Sequence, residues 1–285
     1  LLNLFITYQV FRTTMELIGL ALQWGLKLTY PFFYFNEWNK KTIVYNINNK
    51  AKFKLRVNTS DKLVLLETWK TNSYINEAFD IKKDDVVVDI GANIGAFSIL
   101  AAKNASNGKV FAYEPNKENY GLLRKNKALN SLNNLFISNS AITGKKGRIN
   151  LFISKLNYGA HSIYETESKN SIKVDSITLK DIFAMNNLRK IDYLKIDAEG
   201  AEYDILLNTP AKIIRKVDKI VLEYHDYLNH NHDYEDLKEY LEGNGFKVEI
   251  GKNFLIRKIF SMGMIKARRE NLNKHGISQV VSLRV

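Results

Sequence analysis

Three acidic residues follow hydrophobic segments of this 285-residue sequence, at the points where buried strands would end. Asp89 closes the run VVVD, Glu114 follows KVFAY, and Asp197 follows IDYLKI. In an open α/β sheet, the carboxyl ends of parallel strands face the crevice in which a ligand binds. We therefore expect the three carboxylates to lie along one edge, where they can accept hydrogen bonds from a ligand or take up a proton.

The first of these acids leads into a glycine turn with the spacing Asp89-x-Gly91-x-x-x-Gly95. A dinucleotide-binding turn has the pattern G-x-G-x-x-G, but Asn93 and Ala96 stand where its second and third glycines would be. A ligand without a phosphate fits this turn better. S-adenosylmethionine is one, because it offers an ammonium to Asp89, directly or through water, and a carboxylate to backbone N–H groups. On this stretch alone, glycines that serve only packing are an equal alternative.

Glu114 ends the second strand, 23 residues after Gly91. An acid in this position can accept hydrogen bonds from both hydroxyls of a ribose. The alternative is an acid that stabilises the N-terminus of the next helix through the helix dipole. Because the glycine turn stands upstream, we favour the ribose interpretation.

The exit of the IDYLKI strand carries three acids within six residues, Asp197, Glu199 and Glu202. Charges at the end of a buried strand are costly unless they are solvated, paired or used in a reaction. Alternatively, Glu202 lies in the first turn of the next helix, where the helix dipole stabilises an acid. A second polar group, Glu223 and His225, follows at the end of the strand KIVLE.

Alternating strand and helix patterns supply the elements that would position these residues. The predicted strands cover residues 43–47, 53–57, 63–65, 86–89, 109–113, 135–138, 148–153, 171–177, 191–196, 219–223, 246–250, 254–259 and 279–283. The predicted helices include one that opens at residue 96 and others at 118–129, 178–185 and 234–241.

We divide the chain into an apolar helical segment at 1–40, a β-hairpin and helix lead-in at 41–80, and a main α/β domain at 81–285. The main domain contains an inserted loop at 154–170 and a basic C-terminal region. The uncharged stretch at 17–26 is well short of the roughly 20 apolar residues that a membrane-spanning helix needs. We expect residues 1–35 to pack against the core or a second subunit, with contact to a membrane surface as the alternative. They lack a cationic start and a clear cleavage site, so we do not expect a signal peptide.

The composition excludes several classes of protein. The chain is 45% hydrophobic and 25% charged, as a globular protein is, and it has no cysteine. The absence of cysteine excludes a thiol nucleophile, a disulfide and a zinc site built on cysteine. A formal net charge of +12 favours an anionic partner such as nucleic acid, an acidic glycan or a lipid surface, although a generally basic surface explains it equally well.

Three segments together resemble the FkbM-type methyltransferases, a class I family that uses S-adenosylmethionine. They are VVVDIGANIGAFS, FAYEPN and YLKIDAEGAEYDIL. The resemblance covers about residues 58–227 and is most specific in Lys195-Ile196-Asp197-x-Glu199-Gly200-x-Glu202. It implies a Rossmann-like α/β fold with a seven-stranded, mostly parallel sheet whose last strand is antiparallel, preceded by N-terminal helices and a β-hairpin.

The resemblance also implies which residues hold the cofactor. The methionine end lies against the glycine turn, the ribose against Glu114, and the adenine against Asn139 or Ser140 at the end of the third strand. The predicted cofactor-binding residues are Asp89, Gly91, Ala92, Asn93, Gly95, Glu114, Pro115, Asn139, Ser140 and Asp197.

The usual chemistry of the family is O-methylation of hydroxyls on sugars or natural products. In-line attack by a hydroxyl oxygen on a sulfonium methyl requires a group that takes the hydroxyl proton. The candidate catalytic residues are Asp197, Glu199, Glu223, His225 and Lys195. Asp197 is the first choice of base because it ends the strand beside the cofactor strand, and Lys195 shares its face and would pair with it or orient the acceptor. The acids and His225 could also bind a divalent ion, but we assign no metal here.

We expect a small-molecule or glycan acceptor and a cytoplasmic location. Peripheral membrane contact through residues 1–35 and a homo-oligomer are open alternatives. Methylation of nucleic acid is a second possible function, motivated by the net charge but weakened because no N/D-P-P-Y-like motif follows the fourth strand. A third is a membrane-associated or oligomeric module that binds S-adenosylmethionine without turnover.

Overall fold

The computed structural model describes residues 41–57, 59–71, 73–153, 161–164, 170–228, 231–251 and 261–269. The N-terminal segment at 1–40, the strands expected at 254–259 and 279–283, and most of the loop expected at 154–170 lie outside these residues. The division of the chain into three segments therefore stays a prediction. Within the described ranges, no helix is long and apolar enough to cross a membrane.

Strands and helices alternate along most of the described chain. The strands are β1 (Thr42–Ile47), β2 (Ala51–Arg56), β3 (Val86–Ile90), β4 (Lys109–Tyr113), β5 (Leu135–Ser138), β6 (Ala141–Ile142), β7 (Gly147–Phe152), β8 (Ser171–Ile177), β9 (Ile191–Ile196), β10 (Val217–His225), β11 (Phe246–Ile250) and β12 (Met262–Arg269). The helices are α1 (Asp61–Leu66), α2 (Ala96–Asn104), α3 (Lys117–Leu129), α4 (Leu179–Met185), α5 (Glu202–Leu207), α6 (Ala211–Ile214) and α7 (Tyr234–Gly243).

A seven-stranded sheet in the order β11-β12-β10-β9-β3-β4-β5 forms the centre of the fold. The neighbours from β10 to β5 pair in parallel, whereas β12 pairs antiparallel with both β10 and β11. This arrangement confirms the expected class I sheet with an antiparallel last strand. Asp89 of β3 and Lys195 of β9 are partners in the register, so their side chains leave the same face of the sheet.

Strand β12 is a difference from the sequence-based expectation. The sequence predicts a basic C-terminal region around Lys266, Arg268 and Arg269, without a strand there. In the structure, these residues belong to β12, which lies between β10 and β11. A long lysine side chain can bury its methylenes inside a sheet face and still keep its ammonium near polarisable groups. Lys266 does this, with its ammonium 5.8 Å from the ring centroid of Phe79.

Strands β1 and β2 pair as the expected hairpin, but the short strand expected at Leu63 and Leu65 is wrong. Both leucines lie in α1. The carboxylate of Asp61 accepts a hydrogen bond from the backbone N–H of Arg56 at 2.8 Å and pairs with its guanidinium at 2.7 Å. This anchor turns the chain back after β2 and starts a helix, and it outweighs the alternation of leucines that favoured a strand.

A π-helical turn, Glu67–Thr71, follows α1 and brings the lead-in segment onto the central sheet. Trp69 Nε1 donates to a backbone carbonyl at the start of α2, at 2.9 Å. Further along, Tyr74 packs edge-on against Phe97, with ring centroids 5.5 Å apart. The lead-in therefore covers the face of the sheet that carries Lys195, whose ammonium lies 5.4 Å from the Tyr74 ring centroid.

Three further strands form a separate sheet in the order β6-β8-β7. Strands β7 and β8 confirm the segments expected at 148–153 and 171–177, and the inserted loop connects them. Strand β6 is not predicted, because it contains only Ala141 and Ile142 and is too short to show an alternating pattern.

Candidate active site

The turn after β3 is held by close backbone contacts. Gly91 and Ala92 both donate their backbone N–H groups to the carbonyl of Tyr113 at 3.0 Å. Gly91 has a φ of 74°, and a Cβ atom there would lie 1.7 Å from the backbone carbonyl oxygen of Asp197. The N–H of Asp197 donates to the carbonyl of Ile90 at 3.1 Å, so the ends of β3, β4 and β9 meet at this turn.

Asn93 and Gly95 complete the turn in left-handed conformations, with φ values of 50° and 90°. The backbone N–H of Asn93 donates to Glu114 Oε2 at 2.7 Å. Its side-chain Oδ1 is buried, and among the described residues it has no hydrogen-bond partner. Buried acceptors are nearly always satisfied in folded proteins, so Asn93 Oδ1 is an acceptor that a bound ligand can use.

Glu114 lies just after β4 and is almost completely buried. Its Oε1 accepts from the backbone N–H of Asn116 at 2.8 Å, while Oε2 accepts from Asn93. Each carboxylate oxygen has a second lone pair, so two neighbouring hydroxyls can still donate to it. Burial raises the pKa of Glu114 to about 7, although the two backbone N–H groups act to lower it.

Asn139 and Ser140 follow β5 at the same edge as Glu114. The Asn139 amide donates to the carbonyls of Glu114 and Pro115 at 2.8 and 2.9 Å. Ser140 Oγ lies 3.1 Å from Ser138 Oγ. Asn139 therefore positions the turn between Glu114 and Pro115, and its expected contact with adenine stays a prediction.

Asp89 is fully buried below the glycine turn. Its Oδ2 accepts a hydrogen bond from Ser98 Oγ at 2.5 Å, and its Oδ1 lies 3.2 Å from Lys195 Nζ. The sequence predicts that Asp89 helps to hold a cationic group of the ligand. This geometry favours an indirect action of Asp89, through the turn and Lys195, over direct contact.

Lys195 connects the first acid of the site to the third. Its ammonium donates to the carbonyl of Gly91 at 3.0 Å and lies 3.2 Å from the carboxylate of Asp89 and 3.4 Å from that of Asp197. Burial acts to lower the pKa of Lys195, but the two carboxylates raise it well above its usual value. Lys195 therefore stays protonated, which suits a positioning role and excludes it as the base.

Tyr74 belongs to the same network, although nothing in the sequence marks it. Its hydroxyl donates to Asp197 Oδ2 at 3.2 Å, across a separation of 123 residues. The surrounding segment, NSYINEAF, carries no recognisable motif. Only knowledge of how the lead-in packs on the main domain would have pointed to this tyrosine.

Glu202 and His225 form a buried pair behind the exit of β9. The two oxygens of Glu202 accept from the backbone N–H groups of Ala198 and Gly200 at 2.8 and 2.9 Å. His225 Nδ1 lies 3.2 Å from Glu202 Oε1. Burial acts to lower the pKa of His225, but the surrounding carboxylates raise it to about 10. His225 therefore does not act as a base at neutral pH, and Glu202 both opens α5 and fixes the turn before it.

Asp197, Glu199 and Glu223 are the partly exposed acids of the site, with side chains 26%, 15% and 20% exposed. Burial, followed by the charge of Asp197, raises the pKa of Glu223 well above its usual value. Three atoms that could bind a metal, one each from Asp197, Glu199 and His225, lie within 4.8 Å of one another. The structure thus brings together the predicted catalytic residues at the exits of β9 and β10.

The residues at this edge fit S-adenosylmethionine better than a phosphate ligand. Among the described residues that form ion pairs, Lys195 is the positively charged side chain at the turn. It is buried between two carboxylates, so it is not available to a phosphate. The groups open to a ligand are instead the unsatisfied Oδ1 of Asn93 and the carboxylate of Glu114. The backbone N–H groups of Gly91, Ala92 and Asn93 already donate within the fold. Asn93 Oδ1 matches the ammonium of the cofactor, and the carboxylate of Glu114 matches its ribose hydroxyls.

Comparisons with known proteins identify a family of proteins to which this chain is similar. A family model described as the methyltransferase FkbM domain matches residues 89–248. Methyltransferase 1 of Beauveria bassiana is 23% identical over 250 residues, which cover 80% of this chain and 99% of that protein. The 31-O-demethyl-FK506 methyltransferase FkbM of Streptomyces tacrolimicus is 22% identical over 211 residues, 64% of this chain and 80% of that protein. The hexuronic acid methyltransferase AglP of Haloferax volcanii is 23% identical over 146 residues, 51% of this chain and 58% of that protein.

Proposed function

This chain belongs to the FkbM-domain family of methyltransferases that use S-adenosylmethionine, and on that premise we propose that it methylates a hydroxyl oxygen of a sugar, glycolipid or other small molecule. The observation that carries the proposal is the group of partly exposed carboxylates beside the glycine turn, Asp197, Glu199 and Glu223. A hydroxyl must lose its proton as its oxygen is methylated, and a carboxylate in this place can accept that proton.

The names of two similar proteins support this class of acceptor. One is named for a hexuronic acid, which is a hydroxylated sugar derivative, and the other for an O-demethyl natural product. Both are about as distant from this chain in identity as the other relatives, so they support a hydroxylated acceptor and do not select one.

We assign the cofactor to the edge formed by β3, β4 and β5. Asn93 Oδ1 would hold the ammonium of the methionine end beside the glycine turn, Glu114 would hold the ribose, and Asn139 or Ser140 would hold the adenine. When bound, S-adenosylmethionine supplies a sulfonium methyl, which leaves as its S–C bond breaks and yields S-adenosylhomocysteine. Lys195 keeps the turn in place from below through Gly91.

Glu223 is the base in this proposal, although Asp197 is the first choice from the sequence. Tyr74 and Lys195 already bind Asp197 Oδ2, so that oxygen is occupied. Glu223 accepts no hydrogen bond from any described residue, and its nearest cationic atom is His225 Nε2 at 3.9 Å. The acceptor proton moves to Glu223 while the new O–CH₃ bond forms, and Glu223 later releases it to water. Asp197 orients the hydroxyl.

Two measurements test the proposal. Calorimetry with S-adenosylmethionine should show one binding site on the wild type, and an absence of binding would refute the cofactor assignment. Turnover is then followed as release of S-adenosylhomocysteine with neutral sugars, hexuronic acids and hydroxylated natural products. The methylated atom is identified by NMR, and a product methylated on nitrogen or carbon would contradict O-methylation.

The role of Glu223 is tested by Glu223→Gln beside the matched control Glu239→Gln, an exposed acid of α7. We expect Glu223→Gln to lower kcat by about 10²-fold or more, the range for loss of a general base, with cofactor affinity nearly unchanged. Glu239→Gln should behave as the wild type. Full turnover by Glu223→Gln would return the role of base to Asp197.

A further inference from the structure

The imidazole of His225 is held in one orientation by a buried carboxylate. Its Nδ1 lies 3.2 Å from Glu202 Oε1, and Glu202 is itself fixed by two backbone N–H groups at 2.8 and 2.9 Å. His225 is 1% exposed and Glu202 fully buried. In proteins, a histidine that binds a metal commonly donates its other ring N–H to a carboxylate, which fixes the ring. The pair therefore leaves Nε2 directed at the partly exposed acids.

The distances around His225 Nε2 fit ligands of a shared cation better than hydrogen bonds. Glu199 Oε2 lies 3.7 Å away and Glu223 Oε1 lies 3.9 Å away, and no described residue offers Nε2 an acceptor within hydrogen-bond distance. A hydrogen bond between N and O is about 2.7 to 3.2 Å long. Two atoms bound to one metal, at about 2.1 Å each, lie roughly 3 to 4.2 Å apart.

Asp197 supplies a third ligand from the neighbouring strand exit. Its ligand atom and those of Glu199 and His225 all lie within 4.8 Å of one another, so small side-chain rotations bring them to one centre. Tyr74 and Lys195 bind Asp197 through Oδ2, which leaves Oδ1 for an ion. Asp197 and Glu199 lie directly after β9, and His225 ends its parallel neighbour β10, which fixes the spacing of the three residues.

The charge around this centre also favours a cation. The carboxylates that surround the imidazole are those of Asp197, Glu199, Glu202 and Glu223. The ammonium of Lys195 is shared between Asp197 and Asp89 and so offsets little of this charge. The imidazolium of His225 offsets one of these charges in the free protein. A divalent ion bound at Nε2 would displace that proton and bring two positive charges in its place.

We propose that Asp197, Glu199 and His225 bind one divalent metal ion of the Mn²⁺ type, a site that the sequence alone does not assign. Two carboxylates and one imidazole suit Mn²⁺, which accepts both oxygen and nitrogen ligands, better than Mg²⁺, which prefers oxygen. In a second step, which rests on the proposed function, the open positions of the ion take two neighbouring oxygens of the acceptor. The acceptor class is then a vicinal diol or an α-hydroxy acid.

The metal site is tested on the full chain without cofactor or acceptor, by calorimetry and by the EPR signal of free Mn²⁺. We expect one saturable site in the wild type, and at least tenfold weaker binding in Glu199→Gln and His225→Gln. The matched control Glu239→Gln should bind Mn²⁺ as the wild type does. Calorimetry with S-adenosylmethionine on each variant verifies that it is folded.

Two outcomes overturn the metal site. The first is no saturable Mn²⁺ binding at millimolar concentrations by a wild type that binds S-adenosylmethionine. The second is equal Mn²⁺ affinity in all variants, which would mean an adventitious ion only.

The second step and the proposed function fail in different ways. A protein that binds Mn²⁺ in the expected manner but methylates no hydroxylated acceptor keeps the metal site and loses the proposed function. A protein that methylates a monohydroxyl acceptor at its full rate in EDTA keeps the proposed function and loses the metal-bound acceptor. A rate that is lost in EDTA and restored by Mn²⁺ only with vicinal diols or α-hydroxy acids supports both.

Discussion

The ammonium of Lys195 donates a hydrogen bond to the carbonyl oxygen of Gly91 at 3.0 Å, although the two residues lie 104 positions apart. This contact joins the end of β9 to the turn after β3. The same ammonium lies between the carboxylates of Asp89 and Asp197. The cofactor turn and the acidic group therefore share one buried cation, and a change at Lys195 should disturb both.

Lys195→Met removes this cation but keeps most of the side-chain volume. Asp89 is fully buried, so its carboxylate would lose its cationic partner without gaining water, at a cost of about 3 to 5 kcal/mol. We expect the free energy of unfolding in urea to fall by that amount. The control is Lys190→Met, because Lys190 is half exposed where it pairs with Asp192 and Asp218, and its loss should cost at most about 1 kcal/mol. Equal losses would show that Lys195 is not a structural cation.

Gly91→Ala tests whether the glycine turn must approach β9 as closely as it does. The new Cβ atom would lie 1.7 Å from the carbonyl oxygen of Asp197, and a φ of 74° strains any residue with a side chain. We expect calorimetry to show no binding of S-adenosylmethionine. Gly121→Ala in α3 is the matched control, since nothing lies within 4 Å of its Cβ position, and it should stabilise the protein by about 0.5 to 1 kcal/mol. Normal cofactor affinity in Gly91→Ala would contradict the turn's role.

Glu114 should make cofactor binding depend on pH. Burial raises its pKa to about 7, so the free protein holds a proton on Glu114 increasingly as the pH falls below that value. The ribose hydroxyls are donors and need the carboxylate form, so affinity should rise from pH 6 to a plateau near pH 8, by about tenfold. Titration calorimetry at these two pH values measures the difference. Glu114→Gln should bind weakly with little pH dependence, and an equally steep profile in this variant would assign the proton to another group.

The main sheet and its acids could be predicted because their signals are local. A run of three valines that ends at Asp89 indicates a strand covered on both faces. Glu114 and Asp197 follow two further hydrophobic runs in the same way. The parallel pairing of β3 with β4 and with β9 then brings the three acids to one edge, because Ile90 is in register with both Tyr113 and Ile196.

The rest of the site depends on contacts between distant segments, for which the sequence has no local pattern. Tyr74 reaches Asp197 only because the lead-in packs on α2, and the salt bridge between Arg56 and Asp61 turns a leucine alternation into helix α1. Strand β12 could not be predicted from the sequence for a related reason. Its positive charges indicate a surface, whereas their aliphatic stems allow a place inside the sheet.

Glu202→Gln tests whether Glu202 holds the turn from which Glu199 extends. Glu202 accepts backbone hydrogen bonds from Ala198 and Gly200, and a glutamine oxygen can accept only one of them while the amide N–H₂ faces the other donor. We expect the free energy of unfolding to fall by about 1 to 3 kcal/mol, the cost of a buried donor left unsatisfied.

Turnover should fall in the same variant, because Glu199 and His225 lose their fixed positions, while affinity for S-adenosylmethionine changes little. Glu118→Gln, an exposed acid in the first turn of α3, is the control and should cost no more than about 0.5 kcal/mol. If urea denaturation gave the same stability for both variants, the two backbone contacts of Glu202 would contribute little, and the orientation of His225 would have to come from its packing alone.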